Sequence, residues 1–534
     1  MRTKSIEATL RDAERPATRL NRSLGPLQLT MMGIGVTIGG GIFVLTGTAA
    51  ANYAGPAIAL SFALGAFVSG LVALCYMEFA STVPVAGSAY TFAYLSLGEP
   101  VAWLIGWDLI LDMTMGAGAV AAGWSQYVTD FLATFGIRLP ESIAGPEAAV
   151  NVPAVAVILV LTAILAAGVR TTSRLNVAMT LVKLAAIVLF LAVGVSHVDP
   201  DNWAPFVPES RPAGAEGGFW EQPLLGWAGI STNATFGFAG ILTGAAIVFG
   251  SYSGFDIMAS SAEEAKRPQR TLPIALMATV AACATLYVTV SLVVTGMRPY
   301  TQLDNAAPVT GALEAAGEDW AVRIVGVGAI CGLTTVVMIM LLGQSRVFLA
   351  MSRDRLLPGW FARVHPVTRS PRRITWTLGC MVALMTALLP IQDLAELGNI
   401  GMLTSFIAVC VGVIYLRRRR PDLPRAFRTP WVPVLPLVAL VLCLVLVGSL
   451  PLITWARFLA WMAVGVLIYL LWGRRNSRVA TGATETPEAP DTSGATATSL
   501  PGPADPAADP VADPVVDPVA DSAAGEGVSG EPGR

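Results

Sequence analysis

Long apolar stretches separated by short polar segments run through most of this 534-residue chain. Each stretch holds about 20 residues, the length that an α-helix needs to cross a bilayer core of about 30 Å. The pattern predicts an all-α, polytopic membrane protein with twelve transmembrane helices in one membrane domain, 26–475. Their approximate ranges are 26–50, 55–80, 101–131, 153–169, 175–197, 236–261, 272–296, 321–350, 374–390, 395–416, 431–450 and 453–473.

The composition supports the same class. Hydrophobic residues make up 54% of the chain and charged residues 13%, whereas soluble domains carry about 25% charged residues. Residues 1–25 are basic but hold neither a short apolar core nor a small-residue cleavage site, so we expect a cytoplasmic tail rather than a cleaved signal peptide. Residues 479–534 are rich in Ala, Pro and Asp, and we expect them to form a disordered cytoplasmic tail.

Lysine and arginine alternate between dense and sparse segments along the chain. With the N-terminus in the cytoplasm, the inner segments hold almost all of them, including the run Arg417–Arg420. This asymmetry follows the positive-inside rule. An even number of spans also places the C-terminus inside, so the sequence predicts a multi-pass protein of the cytoplasmic membrane with both termini in the cytoplasm.

Glycine clusters interrupt two of the apolar stretches. The first span reads "MMGIGVTIGGGIFVLTG" from Met31 to Gly47, and the sixth contains "FGSYSG" at 249–254. Each glycine costs a helix interior about 1 kcal/mol relative to alanine, and irregular backbone at membrane depth is tolerated only where it lines a cavity or is buried in protein. We therefore predict helix breaks at 38–42 and 249–254. For Gly33 and Gly35, close packing of another helix is an equally good explanation.

The two breaks predict a particular ligand chemistry. They lie five spans apart, as expected if spans one to five repeat as six to ten, and paired interruptions of this kind indicate a transporter's binding site. A broken helix presents free N–H groups that suit a carboxylate and free carbonyl groups that suit an ammonium group. A zwitterionic amino acid needs both, so an amino acid is the predicted substrate.

Several motifs resemble one known family. They are "GIGVTIGGGIFVLTG", "GFDIMASSAEEAKRPQRTLPIAL", "GQSRVFLAMSRDRLLP" and "LAELGNIGMLTSFIAVCVGVIYLRRRRPDLPRAFRTP". They are similar to the cationic amino acid transporter group of the amino acid–polyamine–organocation superfamily, over about residues 25–475. The resemblance implies a five-plus-five inverted repeat with interrupted first and sixth helices, two peripheral helices, and amino acid uptake that is often coupled to protons.

The resemblance also implies the substrate site. Its residues are Ile38, Gly39, Gly40, Gly41 and Ile42 in the first span, and Phe249, Gly250, Ser251 and Ser253 in the sixth. Gly250 stands where this family usually has an aromatic residue that covers the substrate, so we expect a larger or more open pocket. Met402 stands where the family usually has threonine, and Asp112 where it usually has glutamate.

Charged residues within the spans add three candidates. Lys183 lies in the fifth span, where a charge costs about 2.5–3.5 kcal/mol; snorkelling or pairing with a carboxylate is one explanation, and a proton-coupling amine beside the substrate site, which the resemblance favours, is the other. Asp108 and Asp112 share one helix face. We expect Asp112 to face the substrate's side chain, where an acid suits a cationic amino acid, and Asp108 to be a helix-end carboxylate bonded to a neighbouring loop. The pair Glu263–Glu264 is expected to form a salt-bridge cluster near a gate.

The sequence thus favours a secondary transporter that imports an amino acid by alternating access, coupled to protons and independent of sodium. Its expected partners are the amino acid, protons and the lipid bilayer, with no nucleic acid and no cofactor. An enzyme is disfavoured because the chain has only two histidines and no metal-like spacing of ligands, and ATP drive because no phosphate-binding loop motif is present. An exchanger or polyamine transporter of the same fold and a membrane amino acid sensor without flux stay open, as do the choice between cationic and small neutral substrates and the oligomeric state.

Overall fold

The computed structural model describes residues 25–83, 88–144, 148, 150–167, 172–212, 220, 222–227, 234–259, 265–305, 307–362 and 371–477. The predicted tails, except residue 25, and the pair Glu263–Glu264 lie outside these ranges.

Regular structure in the described ranges is helical, apart from two-residue strands β1 (Arg211–Pro212) and β2 (Ala234–Thr235), which pair antiparallel. The α-helices are α1 (Pro26–Thr37), α2 (Thr46–Ala49), α3 (Ile58–Thr82), α4 (Ser88–Ser96), α5 (Glu99–Ala133), α6 (Glu141–Ala144), α7 (Val152–Ala167), α8 (Thr172–Gly194), α9 (Leu224–Trp227), α10 (Gly237–Val248), α11 (Phe255–Ala259), α12 (Pro268–Met297), α13 (Pro308–Ala315), α14 (Asp319–Arg353), α15 (Arg372–Leu388), α16 (Ile391–Arg419), α17 (Val434–Gly448), α18 (Leu452–Ile468) and α19 (Arg474–Asn476).

Among the described residues, eight helical segments are long and apolar enough to cross a membrane. They are Gly41–Thr82, Glu99–Ala133, Val177–His197, Gly237–Met258, Pro268–Met297, Asp319–Arg353, Ile391–Arg419 and Leu452–Asn476. Helices α7 and α17 are apolar but shorter. Large apolar side chains such as Phe67, Val188 and Leu388 are more than half exposed, as expected for surfaces that contact lipid. The exact count of twelve spans stays a prediction.

The first span is interrupted where the glycines lie. Helix α1 ends at Thr37, and Ile38 adopts an extended backbone (φ −75°, ψ 109°). A π-helix, Gly41–Leu45, then leads into α2. Further along, Gly55 has φ +61°, a backbone conformation that favours glycine, and it bends the chain before α3.

The sixth span breaks at the corresponding glycines. Helix α10 ends at Val248, a 3₁₀ turn covers Phe249–Tyr252, and α11 begins at Phe255. Between them Gly254 has φ +126°, which a residue with a Cβ rarely adopts. Both breaks therefore occur where the glycine pattern predicts them.

Helices α14 and α16 each pack against the long helix α5, and α3 packs against α12. The largest cluster of buried apolar side chains joins α3, α5, α14 and α16. The two breaks lie beside these helices, so irregular backbone in the middle of the molecule is shielded by protein, as membrane burial requires.

Candidate functional site

A cavity of about 60 Å³ lies between the two helix breaks. The predicted site residues that line it are Gly40, Gly41, Gly250, Ser251, Ser253 and Asp112. Much of the remaining wall is apolar and comes from α5, α14 and α16, with Val120, Val336, Met340 and Met402 among its side chains. A mostly apolar wall with a few polar groups is typical of a small-ligand site.

Four predicted site residues do not line the cavity. Ile38, Ile42 and Phe249 are at most 1% exposed and pack into the apolar cores. Gly39 lies against Val336, whose Cγ2 would be 2.5 Å from an added Cβ. Sequence position alone does not predict which residues face the cavity here, because side chains at a break no longer follow one helical face.

The two breaks touch each other directly. A Cβ added at Gly41 would overlap the Ser251 side chain and lie 2.8 Å from the Ser251 Cα. Glycine is therefore needed at this crossing, since real Cβ atoms almost never approach other heavy atoms so closely. The Ser251 hydroxyl itself is buried and has no hydrogen-bond partner among the described residues.

Tyr287 on α12 joins the carbonyl groups of both breaks. Its hydroxyl lies 2.6 Å from the Thr37 carbonyl oxygen and 2.7 Å from the Ser251 carbonyl oxygen. A phenol carries one hydrogen, so it donates fully to only one of these acceptors at a time. Its ring packs edge-on against Tyr252, with ring centroids 5.1 Å apart, which fixes the hydroxyl between the breaks.

Lys183 on α8 binds the end of α1. Its Nζ donates to the carbonyl oxygens of Gly35 at 2.5 Å and Ile38 at 2.7 Å, and to Thr335 Oγ1 on α14 at 3.3 Å. The side chain is 0% exposed. In the described structure Lys183 therefore neither snorkels to the membrane surface nor pairs with a carboxylate. Its ammonium group is surrounded by neutral oxygen atoms at the first break.

The expectation that Gly250 enlarges the pocket needs correction. Asn399 on α16 fills the space beside Gly250, and a Cβ added at Gly250 would overlap the Asn399 amide. The Asn399 Nδ2 donates to the carbonyl oxygens of Ala246 at 3.2 Å and Ile247 at 3.0 Å, at the end of α10. An amide from another helix therefore occupies the position next to the missing side chain.

The carboxyl groups near the cavity differ from one another. Asp112 lines the cavity, as predicted, and is 4% exposed. On α11, Asp256 accepts a hydrogen bond from the Gly254 N–H at 3.0 Å through Oδ1. Asp108 is 0% exposed, and neither of its oxygen atoms has a partner in the described part of the chain. Its interpretation as a helix-end carboxylate bonded to a loop is wrong, because α5 begins nine residues earlier, at Glu99.

Sequence reasoning missed Asn399, Tyr287 and Thr335. Asn399 carries a usable signal, because a strongly polar side chain in the middle of an apolar span is costly and needs a partner. Tyr287 and Thr335 carry none, since tyrosine and threonine are common in spans and only the packing brings their hydroxyl groups to the breaks.

Comparison with known proteins adds the following findings. A family model described as amino acid permease matches residues 24–470. The chain is 42% identical over 470 residues to the methylthioribose transporter of Bacillus subtilis (strain 168), which covers 87% of this chain and 96% of that protein. It is 42% identical over 468 residues to the branched-chain amino acid permease BcaP of the same strain, covering 86% and 95%. It is 37% identical over 417 residues to cationic amino acid transporter 4 of Mus musculus, covering 76% and 61%.

Proposed function

Because this chain belongs to the amino acid permease family, we propose that it is a secondary transporter that imports an amino acid across the cytoplasmic membrane by alternating access. The observation that carries the proposal is the cavity at which two interrupted helices meet. Backbone N–H and C=O groups that a helix break frees at membrane depth need a partner, because lipid offers none. We further propose the twelve-helix, five-plus-five inverted repeat, with both termini in the cytoplasm as the distribution of basic residues favours.

The backbone of the substrate is proposed to bind at the breaks. The N–H groups around Gly40 and Gly41 would receive the carboxylate, since amides that face a cavity bind anions. The ammonium group would donate to the carbonyl oxygen of Thr37 or Ser251. Because Tyr287 has one hydrogen for these two acceptors, one of them is always available to the substrate.

An apolar side chain is the first candidate for the substrate's remaining part. Val120, Val336, Met340 and Met402 surround the cavity, and one relative at 42% identity is named a branched-chain amino acid permease. A cationic side chain is the second candidate. It is favoured by the Asp112 carboxyl group in the wall and by relatives named cationic amino acid transporters.

Substitution of Asp112 by asparagine separates these candidates. A leucine substrate needs no charge at this position, so Asp112→Asn should leave leucine uptake within about threefold of the wild type. An arginine substrate loses a charge-assisted interaction of about 1.5–3 kcal/mol, which lowers arginine affinity about 10- to 150-fold. Uptake of labelled leucine and labelled arginine by purified protein in liposomes measures both, and Asp130→Asn on the same helix is the control.

Proton coupling is proposed to act through Lys183. A protonated amine at the Gly35 and Ile38 carbonyl groups fastens the end of α1 to α8 and α14, and its deprotonation would release that end. An ammonium group also repels sodium, by about 4 kcal/mol for unit charges 4 Å apart near a protein surface. The proposal is therefore symport with protons and no requirement for sodium.

Flux measurements in proteoliposomes test this function. We expect a panel of twenty amino acids to identify a substrate that accumulates against its gradient when the outside is acidic, with sodium and choline buffers giving equal rates. Lys183→Ala should abolish the pH dependence, whereas the exposed control Lys266→Ala should keep it. Binding without accumulation would identify a sensor and overturn the proposal. If methylthioribose competes for uptake and no amino acid does, the substrate is a thio-sugar rather than an amino acid.

A further inference from the structure

Asp108 is a buried carboxyl group that the substrate site does not use. It lies on α5, four residues before Asp112, and is 0% exposed. Both of its oxygen atoms lack a hydrogen-bond partner among the described residues. Oδ1 lies against α16, 3.2 Å from the position of an added Cβ at Gly401. A glycine at 401 thus lets the backbone of α16 cover the carboxyl group closely.

An ionised carboxylate is very unfavourable in this position. Taking such a charge out of water costs several kcal/mol unless partners compensate for it, and Asp108 has none within the described ranges. A buried polar group without a partner indicates a functional role. The smallest ligand that removes the charge is a proton.

Among the described residues, the groups that face Asp108 supply no positive charge. The Asp112 carboxyl group, on the same helix, would repel a negative charge on Asp108. The Asp256 carboxyl group of α11 would in the same way repel a negative charge on Asp112. On α14 the neutral Gln344 packs against α5, with its Nε2 donating to Thr114 and its Oε1 without a partner in the described ranges.

The remaining neighbours of α5 are also unable to neutralise it. On α4 the Tyr90 hydroxyl donates a hydrogen bond to Asp354 Oδ2 at 2.8 Å. On α18 Arg457 binds Asp393 at 2.7 Å. Helix α7 has no titratable residue, and the other charged groups on α14, α15 and α16 form no described ion pair with the three aspartates. These groups are Asp319, Arg323, Arg346, Arg353, Arg372, Arg373, Glu396, Arg417, Arg418 and Arg419.

We propose that Asp108 is a second proton-binding site, placed between the cavity and the cytoplasm. This inference rests on the proposed function, because it assumes proton coupling and a membrane orientation with both termini in the cytoplasm. In that orientation α5 begins on the cytoplasmic side, so Asp108 lies about 6 Å inward of Asp112, at about 1.5 Å of rise per residue. A proton that enters with the substrate passes from the cavity to Asp108.

Release of that proton is set by α16. In the structure Gly401 closes over Asp108 and keeps the acid dry. When α16 separates from α5 in the inward-open conformation, water reaches the carboxyl group, which ionises and delivers the proton to the cytoplasm. Lys183 is enclosed by carbonyl groups of α1 and by α14 and has no contact with this exit, so the two groups act at different steps.

Asp108→Asn tests the proposal. The amide has the shape of the neutral acid but cannot release a proton by ionising. The control is Asp130→Asn, at the other end of α5, where Gln126 Nε2 donates to Asp130 Oδ1 at 2.9 Å. Both variants and the wild type are reconstituted with a pH-sensitive dye inside the liposomes, and labelled leucine is the probe. For Asp108→Asn we expect leucine–leucine exchange at the wild-type rate, with proton entry per leucine reduced at least tenfold.

Proton entry at the wild-type ratio in Asp108→Asn would overturn the site while leaving the proposed function intact. Leucine or arginine accumulation by the wild type without any proton entry would instead overturn proton coupling itself. If Asp108→Asn does not fold, the infrared spectrum of the wild type decides. A carboxylic acid C=O band that shifts in Asp108→Glu supports a protonated Asp108, and its absence at neutral pH refutes it.

Discussion

Gly41→Ala is the substitution that most directly tests whether the two helix breaks must touch. The new Cβ would overlap the Ser251 side chain and stand 2.8 Å from its Cα. Because the Cα belongs to the backbone, rotation of the serine side chain relieves only part of the overlap, and the two breaks have to move apart. We therefore expect the cavity between them to lose its geometry.

The magnitude follows from the cost of overpacking. Adding a methyl group to a tightly packed site costs about 1–3 kcal/mol. If that cost falls on the substrate-binding conformation, affinity falls about 5- to 150-fold, since each 1.4 kcal/mol is a factor of about ten. The matched control is Gly70→Ala on α3, where no atom lies within 4 Å of the added Cβ. Alanine in that helix should raise stability by up to about 1 kcal/mol.

A double-mutant cycle completes the test. Binding of labelled substrate to purified protein and initial uptake rates are measured for Gly41→Ala, Ser251→Gly and the double variant. Removal of the Ser251 side chain makes room for the new methyl group, so we expect the double variant to bind more tightly than Gly41→Ala alone. Wild-type affinity in Gly41→Ala, or simple additivity of the two changes, would refute direct contact between the breaks.

Three further substitutions have defined outcomes. Glu78→Ala removes the buried carboxylate that Arg417 binds at 2.8 and 2.9 Å and Arg425 at 3.2 Å; leaving these cations without it should cost about 3 kcal/mol and lower the melting temperature, and an unchanged melting curve would contradict it. Tyr287→Phe keeps the ring but loses the hydroxyl between the two breaks; we expect a loss of about 1–3 kcal/mol in substrate binding, read as a higher KM, whereas equal KM values would argue against the contact. Gly250→Ala overlaps the Asn399 amide and should reduce uptake at least tenfold, with partial recovery when Asn399→Ala is added; no recovery would mean that another contact is responsible.

The helix breaks are the part of the site that the sequence predicts best. Glycine weakens a helix through its own backbone, so the breaks at 38–42 and 249–254 are visible without any knowledge of packing. Gly254 needs its positive φ, and Gly40 and Gly41 line the cavity as predicted. Asp112 also lines the cavity, since a carboxylate in an apolar span has few favourable positions other than a cavity or a partner; its contact with the substrate's side chain stays a prediction.

Side-chain directions at the breaks were harder to predict. Ile38, Ile42 and Phe249 point into apolar cores rather than into the cavity. Inside a regular helix, spacing in sequence fixes which residues share a face, but where the helix is broken that periodicity ends. A family motif identifies which residues correspond along the chain. It does not determine the direction in which each side chain points from an irregular turn.

By itself the sequence determined that this is a helical membrane protein of the amino acid permease family with two interrupted spans, since hydropathy, glycine clusters and family motifs are local properties of the chain. Only the tertiary structure decided that Asn399 fills the space beside Gly250, that Tyr287 joins the two breaks, and that Asp108 is buried under α16. Each of these contacts joins helices that are distant in sequence. Whether they form depends on how the helices pack, a property that no single segment encodes.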